Sequence, residues 1–300
     1  MTAKTRNWLI TFLILASPFL LFLGLLLFWT AEPLPPVAPL PNPNGYEDLV
    51  KAGRAIKSMA GYDQTNEQQL AELVATNAEA LRLLQAGLSN QCQVPVQFSE
   101  NYMTRHLNDL AGLKRLAQIL AAEGRLAEMQ GRPDDAARSF LDAIRLGNES
   151  ARGGVLIDEL VGTAIKAIGV AGLEKLVDPL DAKSCHESAT TLETLDSQSR
   201  SWNEVMQQER DWSRRAYPGL RNELGRLVMH NTLNKAFQKA EDKFNKQQMK
   251  MRELTLDLAT RAYELERGKP PASLADLVPD YLKAIPQDPF TSTNLVYSPR

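Results

Sequence analysis

The chain has 300 residues, 44% of them hydrophobic and 23% charged, with a formal net charge of −2. That balance excludes wholesale disorder and offers no basic footprint for nucleic acid. Three histidines and two cysteines leave little material for a metal centre or a nucleophile, while the length is ample for a sizeable buried core.

The first element is apolar. Trp8 to Trp29 is a run of 22 residues without a charge, long enough as a helix to span about 33 Å of hydrocarbon. Lys4 and Arg6 precede it and no basic residue follows until Lys51. The excess of positive charge on that side predicts a cytoplasmic N-terminus, residues 1–7, a single transmembrane anchor over 8–30, and everything beyond it outside the cytoplasm. A cleaved signal peptide is the rival reading, but Trp29 stands where a small side chain is wanted. Residues 31–44 follow as a Pro-rich linker, with six prolines between Pro33 and Pro43. Such a segment runs as a semi-rigid polyproline II spacer.

From residue 45 the pattern is helical nearly to the end, and the expected fold class is all-α. Apolar residues at helical spacing predict helices over 46–59 and 66–88, the latter carrying Leu70, Leu73, Val74, Ala78, Leu81 and Leu84. Gln91 to Phe98 contains Pro95 and reads as a linker. Leu107 to Gly131 is the next helix, and Arg132-Pro133-Asp134-Asp135 starts another, with proline near the first turn and acids on the helix dipole. Residues 153–176 are more apolar still. Asp158, Glu159 and Lys166 interrupt them, so the segment is a core helix and not a second membrane span. Helices over 181–197 and 202–217 complete an antiparallel helical domain at 45–217, and Pro218-Gly219 breaks the chain. From Leu220 to Arg267 there is no proline. Phe237, Ala240, Phe244, Met251, Leu254, Leu258 and Leu265 form a heptad-like stripe, predicting one long helix, or two collinear ones, packed on the domain over 218–267.

Two local patterns are similar to known families. Gly124, Gly131, Ala136, Phe140 and Ala143, with Leu120 in the first-helix apolar position, resemble one tetratricopeptide repeat. Ala127 and Asn148 replace that repeat's usual tyrosine and proline. The resemblance implies a helical hairpin whose small residues let Phe140 fill the space between helices. In the tail, 268–300, the pattern runs Gly268, Pro271, Leu274, Leu277, Tyr281, Ile285-Pro286, Asp288-Pro289-Phe290 and Tyr297. It resembles the C-terminal region of type II secretion pseudopilins, although the N-terminus lacks their prepilin pattern. The resemblance implies a short helix, an Asp-Pro corner and a short strand at Leu295 to Tyr297. Ser273 and Asp276 are spaced as a capping box.

The chemistry-bearing residues are few. Cys92 and Cys185 admit two readings: a disulfide that would add about 4 kcal/mol by loop closure, or two buried free thiols. Cys185 and His186 are neighbours and point about 100° apart on a helix, and His106 and His230 stand alone. No phosphate loop, nucleophile elbow or zinc motif occurs, so neither cofactor nor metal is expected. Trp202, Trp212, Arg214, Arg215 and Tyr217 cluster in a charged helix and are the candidates for a protein-binding surface.

The expectation is a non-enzymatic, single-pass protein of the inner membrane. Its partners are the lipid bilayer, through residues 8–30, and a protein bound by the extracytoplasmic helical domain. A component of a secretion or pilus-like machine is the second reading, and a membrane-tethered hydrolase with an unfamiliar site is the third.

Overall fold

A computed structural model describes residues 16–18, 20, 21, 24, 34–63, 66–99, 101–218 and 220–296, without the side chains of 220–233. The chain divides into two compact units, Met1–Pro39 and Leu40–Arg300. In the first, the described residues between 16 and 24 are helical and 34–39 have no regular structure. Most of the expected anchor over 8–30 lies outside the described residues. Among those described, no helix is long and apolar enough to cross a membrane.

The second unit is built from nine α-helices among the described residues: α1 (Gly45–Arg54), α2 (Glu67–Thr76), α3 (Ala78–Leu88), α4 (Tyr102–Met129), α5 (Pro133–Ala151), α6 (Leu156–Leu173), α7 (Ala182–Ser197), α8 (Trp202–Ala216) and α9 (Leu220–Arg267). Local capping chemistry sets many of their starts. Asn44 Oδ1 accepts from Tyr46 N at 3.2 Å, Asn66 Oδ1 from Gln68 N at 2.9 Å, and Asp181 Oδ1 from Ser184 N at 2.7 Å. At α8, Ser201 and Glu204 form a reciprocal capping box.

One expected helix is two. The continuous pattern over 66–88 breaks at Asn77, which is 1% exposed. Its Oδ1 accepts from Lys57 N at 2.9 Å, and its Nδ2 donates to Ser58 O at 2.8 Å and Leu73 O at 2.9 Å. A buried amide that satisfies three backbone groups pins the loop after α1 against the joint between α2 and α3.

Close approach at glycines brings α5 and α6 together. A Cβ at Gly162 would lie 2.5 Å from Gly147 O, and one at Gly169 would lie 2.5 Å from Phe140 O. Phe140 is 1% exposed, and its ring fills the notches left by Gly124 on α4 and Gly172 on α6. The small-residue packing expected around Phe140 is therefore present across three helices.

Residues 218–267 do not form a separate body: α9 packs on α7 and α6 within the same unit. It is one unbroken helix of 48 residues, about 72 Å long. Its stripe residues Phe244, Met251, Leu254 and Leu258 are buried, whereas Leu265 is exposed. The tail closes over the same core, where Leu274, Leu277, Tyr281, Leu282 and Leu295 join Leu258 and Ala262 in one cluster.

The strand expected at Leu295 to Tyr297 is not formed by its described residues. The tail has an isolated antiparallel bridge, Gln287 with Asn294. Ser292 takes a left-handed φ of 58°, Asp288 N donates to Thr293 O at 2.8 Å and Leu295 N to Pro286 O at 2.9 Å. The loop doubles back tightly and Leu295 turns into the core, and among the described residues no strand lies beside it along which pairing could extend.

Candidate functional site

The five residues expected at a protein-binding surface fall in two places, at opposite ends of α8. Trp202 is half-buried against Phe244 of α9, ring centroids 5.7 Å apart. At the other end Trp212 is 8% exposed and belongs to the core, packed with Tyr102 and Val155. Its indole Nε1 donates to Gln97 O at 3.0 Å. Trp212 is thus held in the core with its N–H satisfied, and little of its ring is left at the surface. Tyr217, 48% exposed, meets the edge of Trp212 at 5.9 Å, Arg215 lies over the Phe98 ring at 5.6 Å, and Arg214 is half-buried. The structure thus brings Trp212, Arg215 and Tyr217 together with Phe98 and leaves Trp202 apart.

Cys92 and Cys185 are free thiols in different hydrophobic clusters, so the disulfide reading is not realised. Burial pushes the Cys92 thiol up to about 12 and Cys185 up to about 11. Both are held as thiols and are poor nucleophiles at neutral pH. His186 lies beside the Tyr281 ring at 5.5 Å. His230 is among the residues whose side chains are not described.

A polar cluster that the sequence did not announce is buried where α4, α6 and α8 meet. His106 Nε2 and Asp158 Oδ1 are 2.5 Å apart, with exposures of 5% and 0%. Asp158 Oδ2 also accepts from Val155 N at 2.7 Å. The Tyr102 ring stacks on His106 at 4.8 Å, and Glu209 of α8 accepts from Leu156 N at 2.9 Å. Burial, reinforced by the charge of Asp158, raises the hydroxyls of Tyr102 and Tyr46 above the usual phenol range. Next to this cluster, Glu159 receives Lys166 at 3.4 Å and Arg200 at 3.5 Å. Asp158 and Glu209 satisfy the first amides of α6, so this cluster caps a helix and ties three helices to its start. The clue in the sequence was positional: His106 lies on the buried side of α4, one turn from Tyr102 and Leu110.

A cavity of about 610 Å³ lies between α9, the turn after α6 and the tail. Its wall carries Glu174, Asp178, Glu253, Asp257, Glu264 and Asp288, with Arg261 as a cation. Asp288 is engaged locally, accepting from Phe290 N at 2.7 Å. Among the described residues no group of three or more His, Cys, Asp or Glu is placed to hold a metal ion. No protein-family model, curated protein or solved structure matches this chain.

Proposed function

We propose that the chain is a membrane-anchored extracytoplasmic scaffold that acts by binding another protein. The apolar run from Trp8 to Trp29, with Lys4 and Arg6 before it, serves as the anchor in the inner membrane. The observation that carries the scaffold reading is the asymmetric burial of α9. No side chain from 234 to 243 is buried, whereas Phe244, Met251, Leu254 and Leu258 are. A helix held firmly over 244–262 and with no buried side chain over 234–243 presents a rigid rod to a partner.

A role in a secretion or pilus-like machine is the second reading, and it rests on the residue pattern of the tail. Asp276 accepts from Ser273 N at 3.0 Å, and Asp288 accepts from Phe290 N at 2.7 Å.

Topology and partnership are tested together in cells. A reporter active only after export is fused after Arg300, and photo-crosslinkers are placed at Tyr217 and Phe290, which are 48% and 50% exposed. An active fusion and one recurrent partner other than the chain itself are expected. A fusion active only in the cytoplasm would overturn the anchor orientation, and crosslinks to no other protein would overturn the scaffold reading.

A further inference from the structure

Where the covered part of α9 begins, its seam with α6 contains polar groups that are buried and unanswered. Thr163 and Lys166 lie three residues apart on one side of α6, and Phe244, Gln247 and Met251 of α9 line the same small cavity. Thr163 is 9% exposed and Gln247 is 8% exposed. Neither Thr163 Oγ1 nor Gln247 Nε2 has a hydrogen-bond partner among the described residues. The Lys166 side chain is 7% exposed and meets Glu159 at 3.4 Å. A contact between a full cation and a carboxylate closes to about 2.8 Å, so this pairing is loose and leaves ammonium donors for the cavity.

The charge around this seam does not balance. A second small cavity shares Lys166 and Ser199 with the first and is also lined by Arg152, Glu159 and Arg200. Arg152 is matched by Glu149 at 2.8 Å. Glu159 has to serve both Lys166 and Arg200, the latter at 3.5 Å, which leaves one positive charge over. Asp196, the acid beside Gln248, is taken by Arg252 at 2.7 Å. A surplus charge held out of water is costly until a counter-ion answers it. A water molecule would satisfy the two orphan groups and leave that charge in place. An ammonium, an amide N–H and a hydroxyl O–H all donate, so the group they suit is an anion. The cavity has room for about one monatomic occupant, which rules out phosphate, sulfate and carboxylates. Phe244 and Met251 close its apolar side, where a low local dielectric strengthens the attraction. We infer that the seam binds a single halide ion, of chloride size, between Lys166 Nζ, Thr163 Oγ1 and Gln247 Nε2, and that this ion clasps α9 onto α6. The inference stands apart from the anchor and the scaffold readings.

The test uses the full chain in a mild detergent, unfolded by urea in sodium chloride or in sodium gluconate at equal ionic strength. Gluconate is too large for the cavity and serves as the reference. Chloride should raise the unfolding midpoint along a saturating curve, and bromide should replace it. Gln247→Leu and Thr163→Val should each weaken the apparent chloride affinity at least about tenfold, because each removes a hydrogen bond to a charged group. In gluconate Gln247→Leu should unfold no earlier than the unaltered chain, so loss of the chloride response is separated from loss of folding. Lys166→Met should abolish the response, and if that variant does not fold the other two still decide. Crystals grown in bromide should give an anomalous peak in contact with Lys166, Thr163 and Gln247. Equal midpoints in the two salts would overturn the inference, as would a chloride response unchanged in Gln247→Leu and Thr163→Val. So would a water at the seam with no bromide signal, or half-saturation reached only at molar chloride, which would mark an adventitious ion only.

Discussion

The stretches 234–243 and 244–262 belong to one unbroken helix, yet they live in different surroundings. Both carry apolar residues at helical spacing. In the second, Phe244, Met251, Leu254 and Leu258 are at most 4% exposed. In the first, Phe237 and Ala240 are only half-buried. Helix formation depends on neighbouring residues, and Lys, Gln, Glu, Met and Leu favour it throughout. Burial depends on what lies opposite, and α7 and the tail provide a surface only for the second stretch. A periodic apolar stripe therefore specifies a helix without specifying that the whole stripe is covered.

Truncating one residue in each stretch should break the comparison most sharply. Leu258→Ala should cost about 2–5 kcal/mol, because the site is fully buried and closed by two layers. Phe237→Ala should cost less than about 1 kcal/mol. Denaturant unfolding of both variants measures the contrast, and equal losses would mean that 234–243 is as firmly packed as the rest.

Thiol labelling reports the same difference without truncating the rod. Cys185, held up to about 11 by burial and close to Arg261 of α9, lies beneath the long helix, whereas Cys92 lies in the other cluster. Native-state alkylation near neutral pH should be slow at both. Loosening α9 through Leu258→Ala should accelerate Cys185 more than Cys92. Acceleration of both to the same extent would mean that the unit opens only as a whole.

The smallest expected effect lies where burial begins. Gln247 is 8% exposed and its Nε2 has no hydrogen-bond partner among the described residues, next to Thr163 and Lys166 at a small cavity also lined by Phe244 and Met251. In chloride-free buffer, Gln247→Leu should be neutral or stabilising by up to about 1 kcal/mol, since it removes an unsatisfied donor from the seam. A loss larger than that, in the same unfolding assay, would show that the amide is engaged.

Much of the helical layout was legible because its signals are local. Pro133 with Asp134 and Asp135, Ser273 with Asp276, and Pro218 mark boundaries through backbone hydrogen bonds and φ restrictions made within a few residues. The break at Asn77 was not legible, because the amide is held by Lys57 and Ser58 across a loop and its own flanks carry no turn signal. Trp212 looked like a surface anchor in a charged helix, and only packing placed it beside Tyr102 and Val155.

By itself the sequence determined the all-α character of the globular unit, most helix limits and the apolar run at the N-terminus, and it left one long helix or two collinear ones over 218–267. These follow from composition, periodicity and capping, all of which act over a turn or two. Tertiary structure decided which distant polar groups meet. His106 finds Asp158 across 52 residues and Arg252 finds Asp196 across 56. It also decided that Cys92 and Cys185 lie in separate clusters and that only part of the α9 stripe is covered. Such pairings depend on how helices pack over long loops, where loop-closure entropy changes slowly with length and leaves many partners open until the core selects one.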